Sequence, residues 1–210
     1  MFDNEAAPAT RFFTHVVIEN FLASALVQRL LDHVAANRHH FTPTTVREED
    51  GTRVDRASRI SLGLENLGPC LDPLESSLRT AEPMLRKRIG MGAYDFHDLE
   101  MQIAAHNDGA FFRRHNDSYK GWNLNRVISA VYYFHREPCG FTGGALRLYP
   151  LTGEGHADVA PTHNSLVVFP SFVQHEVMPV ACPSGEFMDS RFALNCWFRK
   201  KPKPALQSRA

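Results

Sequence analysis

The sequence predicts an α+β fold in which helices come first and a β-rich sandwich or barrel follows. Apolar residues recur at helical spacing in two stretches before residue 90. After residue 95 the apolar runs become short and are separated by breaks rich in Gly, Pro and Asn, which is typical of strands joined by turns. Because helical and strand segments do not alternate along the chain, the α+β class is favoured over a parallel α/β fold.

The first half of the chain is expected to hold one strand, two helices and a long polar segment. Residues 12–19 predict the strand, and Ser24 is a candidate N-cap of the first helix. Residues 42–59 are polar and predict a long loop or a mobile hairpin. The helices follow from two apolar stripes, which are Leu22, Leu26, Leu30 and Val34, and then Leu74, Leu78, Leu85 and Ile89.

The second half of the chain predicts a series of short strands separated by turn-forming residues. Breaks such as Asn107-Asp108-Gly109 and Gly143-Gly144 mark the turns. The strands are expected at residues 99–105, 110–114, 127–134, 145–149, 166–169, 175–180 and 191–198. Residues 1–10 and 200–210 are expected to be loose tails.

Length and composition predict one globular domain over residues 1–210. Of the 210 residues, 43% are hydrophobic and 22% are charged, which is ordinary for a chain with a substantial core. The net charge is zero, so the overall field favours neither nucleic acid nor a membrane as a partner. The sequence shows no signal-like start, no stretch of membrane-spanning length and no disulfide framework, so we expect a cytoplasmic protein.

The 11 histidines suggest a metal site. A non-haem iron site uses two imidazoles and one carboxylate, and an H-x-D pair on a strand directs two such ligands to one side. H-x-D occurs at residues 106–108, 115–117 and 156–158. The first and third adjoin turn signatures, which favours His115 and Asp117. His175 starts a strand-like run and is the candidate third ligand, although any single histidine can simply be part of a strand.

Arg191 is the candidate partner of a carboxylate. It opens the apolar run 191–198, where a buried guanidinium is costly without an anionic partner. A guanidinium binds a carboxylate through two hydrogen bonds and stays charged when buried. Either an internal Asp or Glu or a bound ligand can supply that carboxylate, and the residues alone leave both interpretations open.

Five segments, in this order, resemble the prolyl 4-hydroxylase-like branch of the Fe(II)- and 2-oxoglutarate-dependent dioxygenase superfamily. They are residues 107–117 (NDGAFFRRHND), 131–134 (VYYF), 143–149 (GGALRLY), Phe169-Pro170 with residues 175–177 (HEV), and 191–198 (RFALNCWF). The resemblance covers the second half of the chain well and the first half only in outline. Five ordered matches are more specific than any one of them.

The resemblance implies a double-stranded β-helix, or jelly roll, flanked by N-terminal helices. It implies that His115, Asp117 and His175 bind Fe(II) and that Arg191 binds the distal carboxylate of 2-oxoglutarate. O2 would be consumed, succinate and CO2 would be released, and ascorbate is an optional reductant. Halogenases of this superfamily lack the carboxylate ligand, so Asp117 predicts hydroxylation of an unactivated C–H bond rather than chlorination.

Three further residues are candidates for the co-substrate pocket. Tyr133 matches a tyrosine that assists the arginine, and plain core packing is the equal alternative. His106 stands where many relatives have a tyrosine; it either donates a hydrogen bond or, as we favour slightly, ends a strand. Asn195, within the segment 191–198 that resembles the family's final strand, is the third candidate. The spacing from His175 to Arg191 is longer than usual, so residues 181–189 are expected to form an inserted turn.

The resemblance implies a prolyl residue, a peptide or protein, or a small amino-acid-like molecule as the substrate, and residues 42–59 are a candidate lid over it. Arg53, Arg56 and Arg59 could bind a substrate carboxylate. The favoured interpretation is that they pair at the surface with the acidic residues 48–50.

Two other functions compete with the hydroxylase. Nucleic-acid demethylases of the same superfamily usually carry an arginine at the position of Trp197, and neutral net charge also disfavours them. A cupin-like module that binds a metal or small ligand without oxidation does not need a buried Arg191.

Overall fold

The computed structural model describes residues 14–48, 51–118 and 123–201. These residues form two α-helices, α1 (Ser24–Ala36) and α2 (Leu71–Arg88), with short 3-10 helices at Arg38–His40, Gly68–Cys70 and Phe187–Asp189. The early strands are β1 (Val16–Glu19), β2 (Thr42–Pro43), β3 (Val46–Glu48), β4 (Gly51–Arg53), β5 (Arg59–Ile60) and β6 (Leu62–Leu64). The later strands are β7 (Phe96–His106), β8 (Phe111–His115), β9 (Arg126–Phe134), β10 (Thr142–Gly143), β11 (Leu146–Leu148), β12 (Ala157–Val159), β13 (Ser165–Pro170), β14 (His175–Val177), β15 (Val180–Ala181) and β16 (Arg191–Lys200).

Two antiparallel sheets form the β-rich part. The larger has the order β1-β13-β9-β16-β7-β6-β2, and the smaller has the order β12-β11-β14-β8-β5. From β7 onward the chain crosses between them: β7, β9, β13 and β16 lie in the larger sheet, and β8, β11, β12 and β14 in the smaller. This alternation is that of a double-stranded β-helix, so the predicted jelly roll with N-terminal helices is confirmed.

Side chains of β9 and β16 point alternately to the two faces of the larger sheet and so contribute to two separate hydrophobic cores. Ile128, Ala130, Tyr132 and Phe134 pack with the helices, as do the alternate residues Phe192, Leu194, Cys196 and Phe198. Val131, Tyr133 and Ala193 face the other way and pack with residues of β11, β12 and β13 between the two sheets. Since side chains of a strand alternate between faces, one strand serves both layers. Every second residue of these strands therefore points into the interior between the two sheets.

The two helices cover the outer face of the larger sheet. Helix α1 buries Val27, Leu30 and Val34, and α2 buries its own apolar stripe, including Leu78 and Leu85. The predicted stripes are thus the buried faces. Ser24 is the first residue of α1 and makes no capping hydrogen bond, so its prediction as the N-cap is wrong and Ala23 occupies that position. None of the helices in the described residues has both the length and the apolar character needed to cross a membrane.

Several boundaries differ from those predicted. Segment 42–59 is largely paired: it holds β2, the hairpin of β3 and β4, and the first residue of β5. Residues 157–159, expected in a loop, form β12, because Leu146 to Leu148 of β11 pair with them at the edge of the smaller sheet. The final strand extends to Lys200, one residue into the predicted tail. Residues 1–10 and 202–210 lie outside the described residues.

Asn164 joins the N-terminal segment to the β-rich part. Its backbone has φ +54°, a left-handed conformation that Asn tolerates better than most residues. Its side-chain Oδ1 accepts hydrogen bonds from the Leu22 N–H at 3.0 Å and from the Tyr132 hydroxyl at 2.9 Å. Its Nδ2 donates to the Leu22 carbonyl at 2.9 Å. One buried amide thus satisfies both backbone groups of Leu22, just before α1.

Asn164→Ala is expected to lower the free energy of unfolding by about 2–4 kcal/mol. Three buried hydrogen bonds are lost, polar groups of Leu22 stay unsatisfied, and alanine is strained at this φ. Urea denaturation checks this, with an unchanged m-value expected. The matched control is Asn66→Ala on the surface, whose amide accepts only from the Gly68 N–H, with an expected loss of about 1 kcal/mol or less. Equal losses for the two variants would contradict the linking role.

Candidate metal centre and carboxylate pocket

Three of the predicted ligands meet at one point between the sheets. One ligand atom from each of His115, Asp117 and His175 lies within 4.8 Å of the other two. His115 ends β8 and pairs directly with His175, the first residue of β14. Asp117 follows two residues after His115, and its N–H donates to the Ser171 carbonyl at 3.0 Å. Two imidazoles and one carboxylate, gathered from neighbouring strands, form a donor set that suits a redox-active metal with open positions.

Both imidazoles are oriented by the backbone. His115 Nδ1 lies 2.8 Å from the Arg113 carbonyl, and His175 Nδ1 lies 2.9 Å from the Val173 carbonyl. A carbonyl only accepts, so Nδ1 carries a proton in each ring, and Nε2 is the atom left to bind a metal. The Nε2 atoms face Asp117, at 3.8 Å from Oδ1 for His115 and 3.6 Å from Oδ2 for His175. This arrangement fits a metal held by the two Nε2 atoms and the carboxylate.

The electrostatics favour the charge states that bind a cation. Burial, together with the neighbouring His175, lowers the pKa of His115, so its ring is neutral at neutral pH. Burial alone would raise the pKa of Asp117. It is nevertheless lowered, because the two histidines and hydrogen bonds from Ser129 and Trp197 stabilise the carboxylate. Ser129 Oγ donates to Asp117 Oδ2 at 2.6 Å, which makes Asp117 an anion with a fixed orientation.

A second, cationic pocket adjoins the metal centre. Arg191 has 1% of its surface exposed, and its Nε donates to the Gly144 carbonyl at 2.8 Å. Its guanidinium carbon lies 4.7 Å from the centre of the Tyr133 ring. Among the described residues, Arg191 Nη2, the Tyr133 hydroxyl and His106 Nε2 are buried without a hydrogen-bond partner. Two orphaned donors beside a buried cation whose own Nη2 is also unpaired fit a carboxylate ligand, and no Asp or Glu of the described residues forms an ion pair with Arg191.

Gly144 makes space for the arginine. A Cβ atom at Gly144 would lie 2.6 Å from Arg191 Cδ, and the backbone φ of +65° is left-handed. A Cβ at the preceding Gly143 would meet the Pro179 carbonyl at 2.4 Å. Such distances are far below van der Waals contact, so the pair of glycines is required for the carbonyl-to-guanidinium contact.

His106 ends β7, as predicted, and also lines the cavity that holds the metal centre. Arg191 Nη1 lies 3.4 Å from His106 Nδ1, and since arginine only donates, Nδ1 is the acceptor. The proton therefore sits on Nε2, the atom without a partner. Burial and the charge of Arg191 hold the pKa of His106 far below its usual range, so the ring is neutral. Its Nε2–H is a donor available to a ligand.

The other candidates are placed less centrally. Asn195 lines the same cavity on β16, four residues beyond Arg191. The remaining H-x-D pairs do not build metal sites in the described residues: Asp108 Oδ1 accepts from the Cys182 N–H, and Asp158 forms an ion pair with Arg147 at the surface.

Arg59 corrects one sequence interpretation. It was expected to pair at the surface, but it lines the cavity of the metal centre. Glu49 and Asp50, two of its expected partners, lie outside the described residues.

Ser129 and Trp197 were missed as contacts of Asp117. They lie opposite each other in the pairing of β9 with β16. The alternation of side chains along a strand could have identified them. Ser129 lies four residues before Tyr133 on β9, and Trp197 lies six residues after Arg191 on β16. An even spacing places both residues of each pair on the same face of the sheet. Phe112, which stacks on the His115 ring at 3.6 Å, was also missed, and no spacing rule pointed to it.

Comparison with known proteins gives concordant results. Residues 101–199 match the model of the 2OG-Fe(II) oxygenase superfamily. An uncharacterized PKHD-type hydroxylase of Synechocystis sp. is 32% identical over 197 residues, 90% of this chain and 64% of its own length. Human Egl nine homolog 1 is 23% identical over 87% of this chain and 43% of its own length. The chain thus spans less than two thirds of each of these curated relatives.

Solved structures share the fold. A Pseudomonas putida prolyl-4-hydroxylase superposes with TM-score 0.68 at 24% identity, covering 90% of this chain and 94% of that chain. A Trichoplax adhaerens prolyl hydroxylase, in complex with a peptide fragment of the hypoxia inducible factor oxygen degradation domain, superposes with TM-score 0.70 at 22% identity, covering 93% and 87%. Residues 101–199 therefore match the 2OG-Fe(II) oxygenase superfamily, whose name specifies Fe(II) and 2-oxoglutarate, and the chain shares its fold with prolyl hydroxylases.

Proposed function

We propose that this chain is an Fe(II)- and 2-oxoglutarate-dependent dioxygenase that hydroxylates an unactivated C–H bond and releases succinate and CO2. The observation that carries the proposal is one cavity with two complementary parts. One part is the triad of His115, Asp117 and His175, and the other is the buried Arg191 with orphaned donors around it. The triad fits a metal, and the part around Arg191 fits a carboxylate of a dicarboxylic acid.

The triad holds the metal, and each neighbour has a defined task. The Arg113 and Val173 carbonyls fix the imidazole tautomers, and Ser129 and Trp197 keep Asp117 ionised. When bound, Fe(II) with 2-oxoglutarate and O2 supplies the oxidising power that replaces C–H by C–OH. The protein contributes orientation and exclusion of water, for which the apolar side chains of Val131, Leu146 and Val177 line the cavity.

Arg191 binds the carboxylate of 2-oxoglutarate that is remote from the metal. Its guanidinium offers Nη2, while the Tyr133 hydroxyl and His106 Nε2–H add two donors. Burial raises the pKa of Tyr133, so its hydroxyl keeps the proton that it would donate. Asn195 lines the cavity between Arg191 and Trp197 along β16 and is positioned to contact the co-substrate or the substrate.

A prolyl residue in a peptide or protein, or an amino-acid-like molecule, is the substrate class that we propose. Two of the similar proteins support it by name: a prolyl-4-hydroxylase, and a prolyl hydroxylase in complex with a peptide. A cleft next to the metal centre offers room for such a substrate. Its wall includes Val54, Ile60 and Phe187, which gives it an apolar character with few charges. Segment 42–59 contributes to this wall, in keeping with a role as a lid.

The test is to mix the purified protein with Fe(II) and 2-oxoglutarate without oxygen and to record the visible charge-transfer band of the chelate. Wild type is expected to show the band and His175→Ala to lose it. His156→Ala is the matched control, since His156 also belongs to an H-x-D pair but is 44% exposed in its side chain and is not a member of the triad. No band in folded, iron-loaded wild type would replace the oxygenase by a cupin-like binding module.

A further inference from the structure

Arg59 is a cation of the active-site cavity to which neither the metal nor the co-substrate assigns a role. It belongs to β5, the edge strand of the smaller sheet, and pairs with Phe112 of β8. Its guanidinium carbon lies 4.5 Å from the centre of the Phe112 ring, and that ring stacks on the ligand His115 at 3.6 Å. Arg59 is therefore next to the metal centre, on the β8 side of the cavity.

A buried hydroxyl pair fixes the orientation of Arg59. Its Nε donates to Ser61 Oγ at 2.8 Å, and that oxygen lies 2.7 Å from Thr44 Oγ1. Ser61 and Thr44 are both buried. A cation–π contact on one side and a fixed Nε on the other hold the planar group in one place, which lowers the entropy lost on binding a ligand.

No acidic side chain of the described residues forms an ion pair with Arg59, and its Nη1 and Nη2 donate to none of them. Burial lowers the pKa of Arg59 to about 10, and the charge of Asp117 offsets only part of this effect. The guanidinium is still charged at neutral pH. A desolvated cation that forms no ion pair with the described residues is costly in the free protein and gains most when a ligand supplies a carboxylate.

Arg59 also lines the apolar cleft beside the metal centre, so it faces both spaces. Among the described residues that line this cleft there is one other arginine, the exposed Arg56, and one acidic residue, Asp108. Asp108 Oδ1 is occupied by the Cys182 N–H. Arg59 is the one described residue that lines both spaces.

We infer that Arg59 binds a carboxylate of the substrate, so that the preferred substrate carries an acidic group close to the reacting carbon. This inference rests on the proposed oxygenase function. The carboxylate can be the α-carboxylate of a free or C-terminal residue, or the side chain of Asp or Glu in a peptide. Arg191 then serves the co-substrate and Arg59 the substrate.

The experiment uses protein loaded anaerobically with Fe(II) and 2-oxoglutarate and measures dissociation constants by titration calorimetry. Two probe pairs differ only in carboxylate against carboxamide. N-acetyl-L-proline and N-acetyl-L-prolinamide test the α-carboxylate, and the N-acetylated, C-amidated dipeptides Pro-Glu and Pro-Gln test a side-chain carboxylate. Wild type is expected to prefer the acid of at least one pair by about 10-fold or more, the worth of a charge-assisted hydrogen-bonded pair.

Arg59→Gln is expected to abolish this preference and to leave the affinity for 2-oxoglutarate unchanged. Arg59→Lys keeps the positive charge but loses the planar pair of donors of the guanidinium. It is expected to retain part of the preference for the acid probes. The matched control is Arg114→Gln on the paired strand β8, because Arg114 is exposed and lines neither cavity. This control is expected to bind all probes as wild type does.

The outcomes distinguish a failure of the proposed oxygenase function from a failure of the role inferred for Arg59. Absence of the charge-transfer band would remove the proposed function itself. With the band present, equal binding of acid and amide in both pairs, or no binding of any probe, would overturn the role of Arg59. A loss of 2-oxoglutarate affinity in Arg59→Gln would overturn it as well and would assign Arg59 to the co-substrate.

Discussion

Asp117→Ala is expected to lower the affinity for Fe(II) by about 10²- to 10³-fold and to abolish hydroxylation. Removing one member of a buried, charge-paired set costs about 3–5 kcal/mol, and each 1.4 kcal/mol is a factor of ten in affinity. Asp117 supplies the only carboxylate of the described triad, so the variant leaves a bound cation with two imidazoles and no anionic ligand. The fold is expected to survive, because Asp117 lies after β8 and its backbone contact to Ser171 does not involve the carboxylate.

Thermal unfolding with added Mn(II), an air-stable substitute, separates metal binding from turnover. A ligand at 100 times its dissociation constant stabilises the folded state by about 2.7 kcal/mol, so wild type should show a clear rise in Tm that Asp117→Ala lacks. Ser129→Ala keeps the carboxylate but removes its hydroxyl donor, and a loss of about 10- to 100-fold in affinity is expected. Ser165→Ala is the control, since that buried hydroxyl donates to the Thr162 carbonyl instead. A full metal-induced shift in Asp117→Ala would contradict the assigned ligand set.

Much of the fold could be predicted because two patterns can be read from short stretches of sequence. These are the alternation of apolar residues in strands and their spacing of about 3.6 residues in helices. The runs that became β7, β9 and β16 were each predicted within three residues of their ends. Strand β12 was missed because its neighbourhood, Gly153-Glu154-Gly155, favours a turn, while pairing with β11 decides the outcome. Local propensity is overridden where a neighbouring strand offers hydrogen bonds.

The clustering of the three candidate ligands was predictable, and the residues around them were less so. His115, Asp117 and His175 follow from a short motif, a strand context and a resemblance, and the structure brings all three together. The position of Arg59 depends on β5 joining the edge of the smaller sheet beside β8, a pairing between strands more than 50 residues apart. Spacing rules do not report such a pairing, so an arginine in a polar segment was assigned to the surface.

Arg191→Leu is expected to raise the dissociation constant of 2-oxoglutarate by about 10²- to 10³-fold while changing the stability of the ligand-free protein little. The first effect follows from the loss of a buried guanidinium–carboxylate pair, worth about 3–5 kcal/mol when one partner is removed. The second follows from the absence of an acidic partner for Arg191 in the described residues. The free protein loses mainly the bond from Nε to the Gly144 carbonyl, a cost of about 1–3 kcal/mol, and is relieved of a buried, unpaired charge.

The two readouts distinguish a ligand-binding arginine from a structural one. Binding is measured by calorimetry with metal-loaded protein, and stability by urea denaturation without ligand. Tyr133→Phe is the matched variant, because it removes one orphaned hydroxyl and keeps the ring beneath Arg191; about a tenfold loss of 2-oxoglutarate affinity is expected, with unchanged stability. A structural arginine would give the reverse pattern: a loss of about 3–5 kcal/mol in the ligand-free protein, with 2-oxoglutarate bound as tightly as before. A group that is costly to keep in the free protein and decisive for the ligand belongs to function, because folding alone would not retain it.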